Sequence, residues 1–554
     1  MLEAGESAHS REIVDMAGRP SLDEVERWVG ERIVPDGESA ELRVGGLWAG
    51  AYLDAVAEIE AGLKAPSPDY RRRYALPLGL ERMLAEDEPH LASGLALRPH
   101  QVDALAGMLA AVIGDYERGE DGEEESDDTA PRLADESQAV VGEDEEDAVA
   151  DEDDEDDEDE DEDTGEHDPG AVRRYRFKHP TASGKTVAAA AFVDAARITG
   201  VLILTHRRLL VDQFKRDLKE QGYGHRLKDP VLGVAKPPAV PPISIETYAW
   251  FIKNADRLSR DTYGVILCDE AHTALGDRTS AAIRRVHEPT YIGMTATDEL
   301  LQKHVGDVFP AEIADFPLAE AVLSGVVAPL RAVRVPPGAS LKRVKIVGGD
   351  YDQQELAEAL DHDAVNMAAA MYYLDMFGQR PGIVYAAGVD HAGRVAASMR
   401  AVGLKAAAVS GRTPPRELAE TLAAYERGEV NVLVNAQLLA EGWNAPRATV
   451  CMHLAPTASR RVYQQRVGRV MRLHRRKEAG VVVDFAEASA PHTDRTITLH
   501  SLLDVDVFQP GGLVTPRPPR VRRRWRRLPK ALVREAPWLV PVTPDPARRA
   551  QVIR

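Results

Sequence analysis

Cysteine is nearly absent from this chain of 554 residues, which has two, Cys268 and Cys451. Each lies inside an apolar run, VILCD or TVCMHL, so a disulfide framework and a cysteine zinc site are both excluded. Long apolar runs are absent too. The nearest candidate, VAAAAFVDAARITGVLILT, is broken by Asp194, Arg197 and Gly200 and is too polar to cross a bilayer. The opening residues MLEAGESAHSREIVD lack a basic stretch followed by an apolar core, so no secretory signal is expected. No repeat at a solenoid period, no P-D…E-x-K nuclease pattern and no zinc cluster occurs. A reducing, cytoplasmic compartment with no membrane partner is the expectation.

Positive charge is short overall: 68 Lys+Arg stand against 90 Asp+Glu, a formal net charge of −22. Spread evenly, that balance would argue against a polyanionic partner. It is not spread evenly. Between Asp115 and Asp168 lie 31 acidic residues and two arginines, with thirteen consecutive acids from Asp151 to Asp163. The rest of the chain therefore carries a net charge of about +7. The acidic stretch has little apolar surface to bury and its charges repel, so residues 115–169 are predicted to be a disordered insertion.

A chain of this length exceeds one core. Residues 1–95 show helical periodicity (VERWVGERI, LWAGAYLDAVAEIEAGL) without a catalytic pattern, and are expected to form a mainly helical accessory region. From Leu97 the run LRPHQVDALAGMLAAVI places Val102, Leu105, Leu109 and Val112 on one helical face. Beyond the insertion, RYRFK, VLILT, ISIET, GVILCD and YIGMTAT read as buried strands separated by intervals long enough for crossover helices. The alternation resumes with GIVYAA, KAAAVS, VNVLVNA, TVCMHLA and GVVVDF. The fold class is thus α/β with two tandem parallel-sheet domains, 96–325 and 326–500, followed by a basic Pro/Arg-rich tail, 501–554.

The chemistry gathers in three places. In HPTASGKTV, the residues Pro180, Thr181, Ala182, Ser183 and Gly184 lead into Lys185 and Thr186 between a strand and a helix. Such a loop cradles phosphates with backbone N–H groups, its lysine reaches the β/γ oxygens, and its threonine hydroxyl ligates Mg²⁺. His179 stands where the pattern wants Gly, and Ala182 fills an interior place that is often Gly. Next, Asp269-Glu270-Ala271-His272 follows the strand VILC: Asp269 can hold Mg²⁺ through its hydration shell while Glu270 orients and deprotonates water. Last, in Gln465-Arg466-Val467-Gly468-Arg469-Val470-Met471-Arg472, the spacing of Arg469 and Arg472 points both guanidinium groups one way, suited to a transferring γ-phosphate.

In this order, these stretches resemble the superfamily 2 DEAD/DEAH-box helicases and translocases of the type III restriction-enzyme kind, over roughly residues 97–490. The resemblance implies two RecA-like lobes, an ATP-binding one and a C-terminal one, with ATP and Mg²⁺ between them. LRPHQVDAL resembles the adenine-reading segment, which implies Gln101 on the base and Arg98 in support. GMTAT resembles the coupling motif, with Thr295 and Thr297, and FPLAEAVLSGVVAPL the linker between lobes. NVLVNAQLLAEGWNAP resembles the fifth motif, adding Gly442 to the nucleotide contacts, although Asn444 stands where the family commonly has Asp. QQRVGRVMR resembles the sixth, bringing Gln465, Arg469 and Arg472. LTHRRLLVDQF and SIETY look like strand-tracking motifs, so His206, Arg207 and Thr247, with Tyr385 from the second lobe, are the expected nucleic-acid contacts.

The implied activity is ATP hydrolysis coupled to movement along nucleic acid. DNA is favoured over RNA because the sixth motif ends GRVMR rather than GRAGR. The tail RVRRRWRRLPK, with Trp525 among arginines, suits phosphate contact and stacking. Two alternatives stay open: an RNA helicase or remodeller, and a non-hydrolysing module whose acidic loop captures a basic protein.

Overall fold

The computed structural model describes residues 19–34, 46–122, 168, 170–233, 238–296, 302–336, 340–341, 343–436, 445–475, 477–485, 496–503, 505 and 510–516. The acidic block, Thr297, Gly442, Asn444 and the Arg-rich tail lie outside these residues.

Two six-stranded sheets organise the chain. The first comprises β1 Arg174–Lys178, β2 Gly200–Thr205, β3 Ile243–Thr247, β4 Tyr263–Asp269, β5 Thr290–Thr295 and β6 Ala311–Asp315, in the order β3-β2-β4-β5-β1-β6. The second comprises β7 Leu330–Val335, β10 Gly382–Tyr385, β11 Ala406–Val409, β12 Val432–Asn435, β13 Val450–His453 and β14 Gly480–Phe485, in the order β11-β12-β10-β13-β14-β7. A small hairpin, β8 Ile346–Val347 and β9 Asp350–Tyr351, stands apart. Every pairing within the large sheets is parallel. β2 and β4 are buried along their whole length, as expected of central strands covered on both faces by helices. All ten predicted strands are present. β6 and β7, which extend each sheet by an edge, were not anticipated.

The helices are α1 Leu22–Val29, α2 Leu47–Glu60, α3 Pro68–Leu84, α4 Pro99–Gly122, α5 Lys185–Ala195, α6 Arg208–Glu220, α7 Tyr248–Asn254, α8 Asp277–Arg285, α9 Gln302–Val308, α10 Leu318–Leu323, α11 Gln353–Leu360, α12 Asp363–Phe377, α13 Val389–Ala401, α14 Pro415–Arg427, α15 Arg460–Gly468 and α16 Leu499–Leu502. α1 to α3 share one apolar core with the first sheet. Gly79 of α3 makes this possible: a Cβ there would lie 1.7 Å from the Ala195 carbonyl oxygen at the end of α5. Beside that contact the buried Glu31 carboxylate accepts from Arg197 at 2.6 Å and lies 3.2 Å from Arg82, which also pairs with Asp194 at 2.8 Å. Breaking one member of such a buried network costs more than a surface pair, because a desolvated charge is left behind.

α4 differs from its predicted pattern. Its buried apolar side chains are Ala104, Leu105, Met108, Leu109 and Ile113, while Val102 and Val112 are partly buried. The helix is wedged between the N-terminal helices and β6, with Gly107 against the Ile313 carbonyl, so it buries a broader and rotated face. It also runs to Gly122, into the stretch predicted to be disordered from residue 115. Asp115 accepts from Tyr175 Oη at 2.5 Å, and Asp168 pairs with the adjacent Arg174 and lies 3.5 Å from Arg284. Both sides of the acidic insertion are thereby fastened at the start of β1, the geometry in which a long insertion disturbs a core least.

Candidate nucleotide site and inter-lobe cleft

The phosphate-binding candidate begins where β1 ends. His179 N–H donates to the Thr295 carbonyl at 3.0 Å, keeping the loop in line with the adjacent β5. The His179 ring is fully buried against Phe177, His100 and Phe316, so this residue fills core space where the motif has Gly. Burial depresses its pKa to about 3, which leaves the imidazole neutral. The loop then needs two left-handed residues, Ala182 at φ 71° and Gly184 at φ 97°. For Ala182 that conformation costs roughly 1–2 kcal/mol, which explains the frequent Gly. Ser183 Oγ donates to the Pro180 carbonyl at 2.8 Å and closes the turn, and α5 starts at Lys185.

Opposite, β4 delivers Asp269 and Glu270. Glu270 is the second non-glycine residue with positive φ, 47°, a strained conformation that turns its side chain back toward the loop. Its Oε1 accepts from Lys185 Nζ at 2.5 Å. Asp269 is buried, and its pKa rises to about 6 through desolvation first and the Glu270 charge second, against the pull of Lys185 and His206. The buried Asp269 and the partly buried Glu270 face one lysine, Lys185, so the pair can accommodate the charge of a divalent cation.

Between the lobes lies a cleft of about 420 Å³. Thr181, Ala182, Gly184, Lys185, Thr186, His206, Asp269 and Glu270 line it from the first lobe, and Pro446, Gln465, Arg469, Arg472 and Leu473 from the second. The lobes also touch directly: Gln464 Nε2 donates to the Ala296 carbonyl at 2.9 Å, and Arg98 Nη1 to the Val326 carbonyl at 3.0 Å. Burial lowers the pKa of Arg472 to about 9, with Arg469 adding to the shift, and the group still carries its charge at neutral pH.

Other expected positions fall differently. Gln101 is buried, its Nε2 donating to the Gly184 carbonyl at 3.1 Å and its Oε1 accepting from Arg98 N–H at 2.9 Å. In this state it braces the phosphate loop. His206 lines the cleft, Arg207 is exposed at the start of α6, and Thr247 caps α7 by accepting from Trp250 N–H at 3.1 Å. Tyr385 is corrected: its ring is fully buried beneath the Arg466 guanidinium, 4.9 Å from the ring centroid, and cannot reach a strand.

Gly468, inside the sixth motif, has a role that its place in the sequence does not signal. A Cβ on Gly468 would lie 2.4 Å from Thr181 Cγ2, so this glycine lets the sixth motif approach the phosphate loop closely.

A phosphate-type loop and an acidic strand end in one parallel sheet, faced across a cleft by arginines from a second, define a two-lobed RecA-like nucleotide-binding protein. The comparisons specify the family. Residues 95–300 match the family described as type III restriction enzyme, res subunit, and 368–474 match the helicase conserved C-terminal domain, together more than half of the chain. The chain belongs to the superfamily 2 helicases of the type III restriction-enzyme-like family.

A 51.5 kDa protein of Lactococcus phage (isolate 7-9) is 27% identical over 317 residues, covering 55% of this chain and 64% of its own. The provisionally named ATP-dependent helicase IRC3 of Saccharomyces cerevisiae is 23% identical over 328 residues, covering 55% and 46%. The matches thus span less than two thirds of these relatives. Among solved structures, a fragment of a provisional HsdR subunit of a type I restriction enzyme from Vibrio vulnificus YJ016 aligns with TM-score 0.44 and 18% identity, over 57% of this chain and 61% of its own. Among the described residues no helix is long and apolar enough to cross a membrane.

Proposed function

We propose that this protein is an ATP-dependent nucleic-acid motor, a helicase or translocase acting on DNA in preference to RNA. The observation that carries the reading is the single cleft that gathers Lys185, Thr186, Asp269 and Glu270 from one lobe with Gln465, Arg469 and Arg472 from the other. Nucleotide phosphates at the N-terminus of α5 meet backbone N–H groups and the Lys185 ammonium. Lys185 then exchanges its Glu270 partner for phosphate, and the released Glu270 carboxylate takes a proton from the attacking water. Arg469 and Arg472 stabilise charge developing on the γ-phosphate only while the lobes are closed, so turnover is tied to domain movement.

Thr186 and Asp269 would hold Mg²⁺, whose charge offsets that of the phosphates and of the buried acidic pair. Arg207, just after β2, and Thr247, the last residue of β3, lie at the carboxyl ends of their strands, the edge where open parallel sheets bind ligands, and would position a strand through its phosphates. The preference for DNA rests on the GRVMR ending of the sixth motif.

The test is ATPase rate against single-stranded, duplex and forked DNA and against RNA. DNA should stimulate turnover. Lys185→Ala should lose ATP binding and turnover together, whereas Glu270→Gln should keep binding and lose roughly 10²–10⁴ in kcat. Robust hydrolysis in either variant refutes the assigned chemistry, and stimulation by RNA alone selects an RNA motor.

A further inference from the structure

The segment that carries the cleft arginines has two faces. By their contacts, Tyr463, Arg466 and Val467 of α15 and Val470 just after it lie within the second lobe, whereas Gln464, Gln465 and Gly468 of α15 and Arg469 and Arg472 just after it face the first lobe and the cleft. The second set meets the first lobe: Gln464 donates to Ala296, Gly468 abuts Thr181, and Gln465, Arg469 and Arg472 line the cleft. The first set is buried in the second lobe. A small rotation of α15 about its axis would therefore swing the arginines off the phosphate position, and something must hold its phase. Apolar contacts of Val467 and Val470 resist rotation weakly, because packing of this kind is non-directional.

A directional lock is present. The Asp484 carboxylate, buried on β14, accepts from Tyr463 Oη at 2.9 Å through both oxygens and from Leu499 N–H at 3.2 Å, and pairs with His453 Nδ1 at 2.8 Å. Burial pushes the His453 pKa down, so the ring is neutral and donates its Nδ1 proton to Asp484. Its Nε2 lies 3.3 Å from Cys451 Sγ, which is itself 3.6 Å from the Arg466 carbonyl. Arg466 completes the set, donating to the Ala455 carbonyl at 2.9 Å above the Tyr385 ring. The Cys–His–Asp order resembles a nucleophilic triad, but all three are buried and the thiol is pushed above its ordinary pKa by desolvation, so no substrate is attacked there.

We propose that Asp484, with His453, is a positioning device for ATP turnover: through Tyr463 it fixes the rotation of α15 and so presents Gln465, Arg469 and Arg472 to the phosphate loop. The inference rests on the ATPase reading above. Asp484 and Tyr463 do not line the cleft and would act through the helix alone.

The experiment uses the full chain carrying Tyr463→Phe, which removes one hydroxyl and keeps the ring, and Asp484→Asn, which keeps one acceptor oxygen. Steady-state ATPase in the presence of DNA should show kcat reduced by about tenfold or more in Tyr463→Phe, with KM for ATP within about twofold, because misplacement of a transition-state group lowers turnover without touching ground-state binding. Asp484→Asn should fall between Tyr463→Phe and the parent. Amide hydrogen exchange over residues 461–470 should quicken in Tyr463→Phe, a readout that needs no ATP. Parent-like kcat and exchange in Tyr463→Phe overturn the positioning role while leaving the motor reading intact. Turnover that is insensitive to Lys185→Ala overturns the motor reading, and unchanged exchange then overturns the lock as well. A uniform loss of kcat, ATP affinity and melting temperature shows a merely structural residue and also overturns the proposal.

Discussion

Replacing Gly468 by alanine should separate stability from activity. The added Cβ would stand 2.4 Å from Thr181 Cγ2 and 2.6 Å from Thr181 Cβ, about one ångström inside ordinary contact of 3.4–4 Å. Rotating the Thr181 side chain relieves the first clash and leaves the second. The phosphate loop is closed at this point by the Ser183–Pro180 hydrogen bonds, so the lobes rather than the loop must give way. Within α15 itself alanine is the better residue, favoured over glycine by up to about 1 kcal/mol. The variant is therefore expected to melt no lower than the parent and to bind ATP on its first lobe unchanged. An ångström of forced separation between the arginines and the phosphate loop should cost on the order of 10² in kcat. Melting temperature, nucleotide affinity and DNA-stimulated ATPase measured on one preparation decide the matter. A kcat within twofold of the parent would show that turnover does not pass through this close approach. A double variant with Thr181→Gly should be more active than the product of the single effects, since the two residues are in contact.

Two further outcomes are expected. The raised pKa of Asp269 means that the folded state holds a proton between the ordinary carboxylate value of 3.8 and about 6 that the unfolded chain has released. In the nucleotide-free protein its contribution to stability accordingly falls as pH rises through that window. Asp269→Asn should therefore raise the melting temperature at pH 7 and abolish turnover; a lower melting temperature contradicts the assigned burial cost. For the acidic insertion, replacing residues 123–167 by a short Gly/Ser linker should tighten DNA binding at low salt and converge with the parent at high salt, if the insertion competes with DNA for basic surface. Equal affinity at both salt concentrations rejects self-competition, and loss of a basic protein partner without change in DNA binding selects the docking alternative.

Features that depend on contiguous residues were legible in the sequence. The central strands show themselves because a strand covered on both faces must be an unbroken apolar run, and GVILCD and VLILT are such runs. The phosphate loop and the Asp269–Glu270 strand end were legible because their chemistry needs particular residues a few positions apart. The edge strands β6 and β7 were not, since AEIAD and LRAVRV mix charge with apolar residues, as half-covered strands do.

Sequence alone marked ten of the twelve strands of the two large sheets, the order of the motifs and the candidate groups for a nucleotide, because each is written in local periodicity or spacing. Tertiary structure decided what those groups touch. Only packing shows that α1–α3 belong to the first core through Gly79, that Tyr385 lies under Arg466, and that both sides of the acidic insertion are fastened at Arg174 and Tyr175. The same holds for the Asp484 lock, whose members lie on β13, α15, β14 and α16. Burial and directional hydrogen bonds join residues distant along the chain, and no local pattern records which distant partner a side chain will meet.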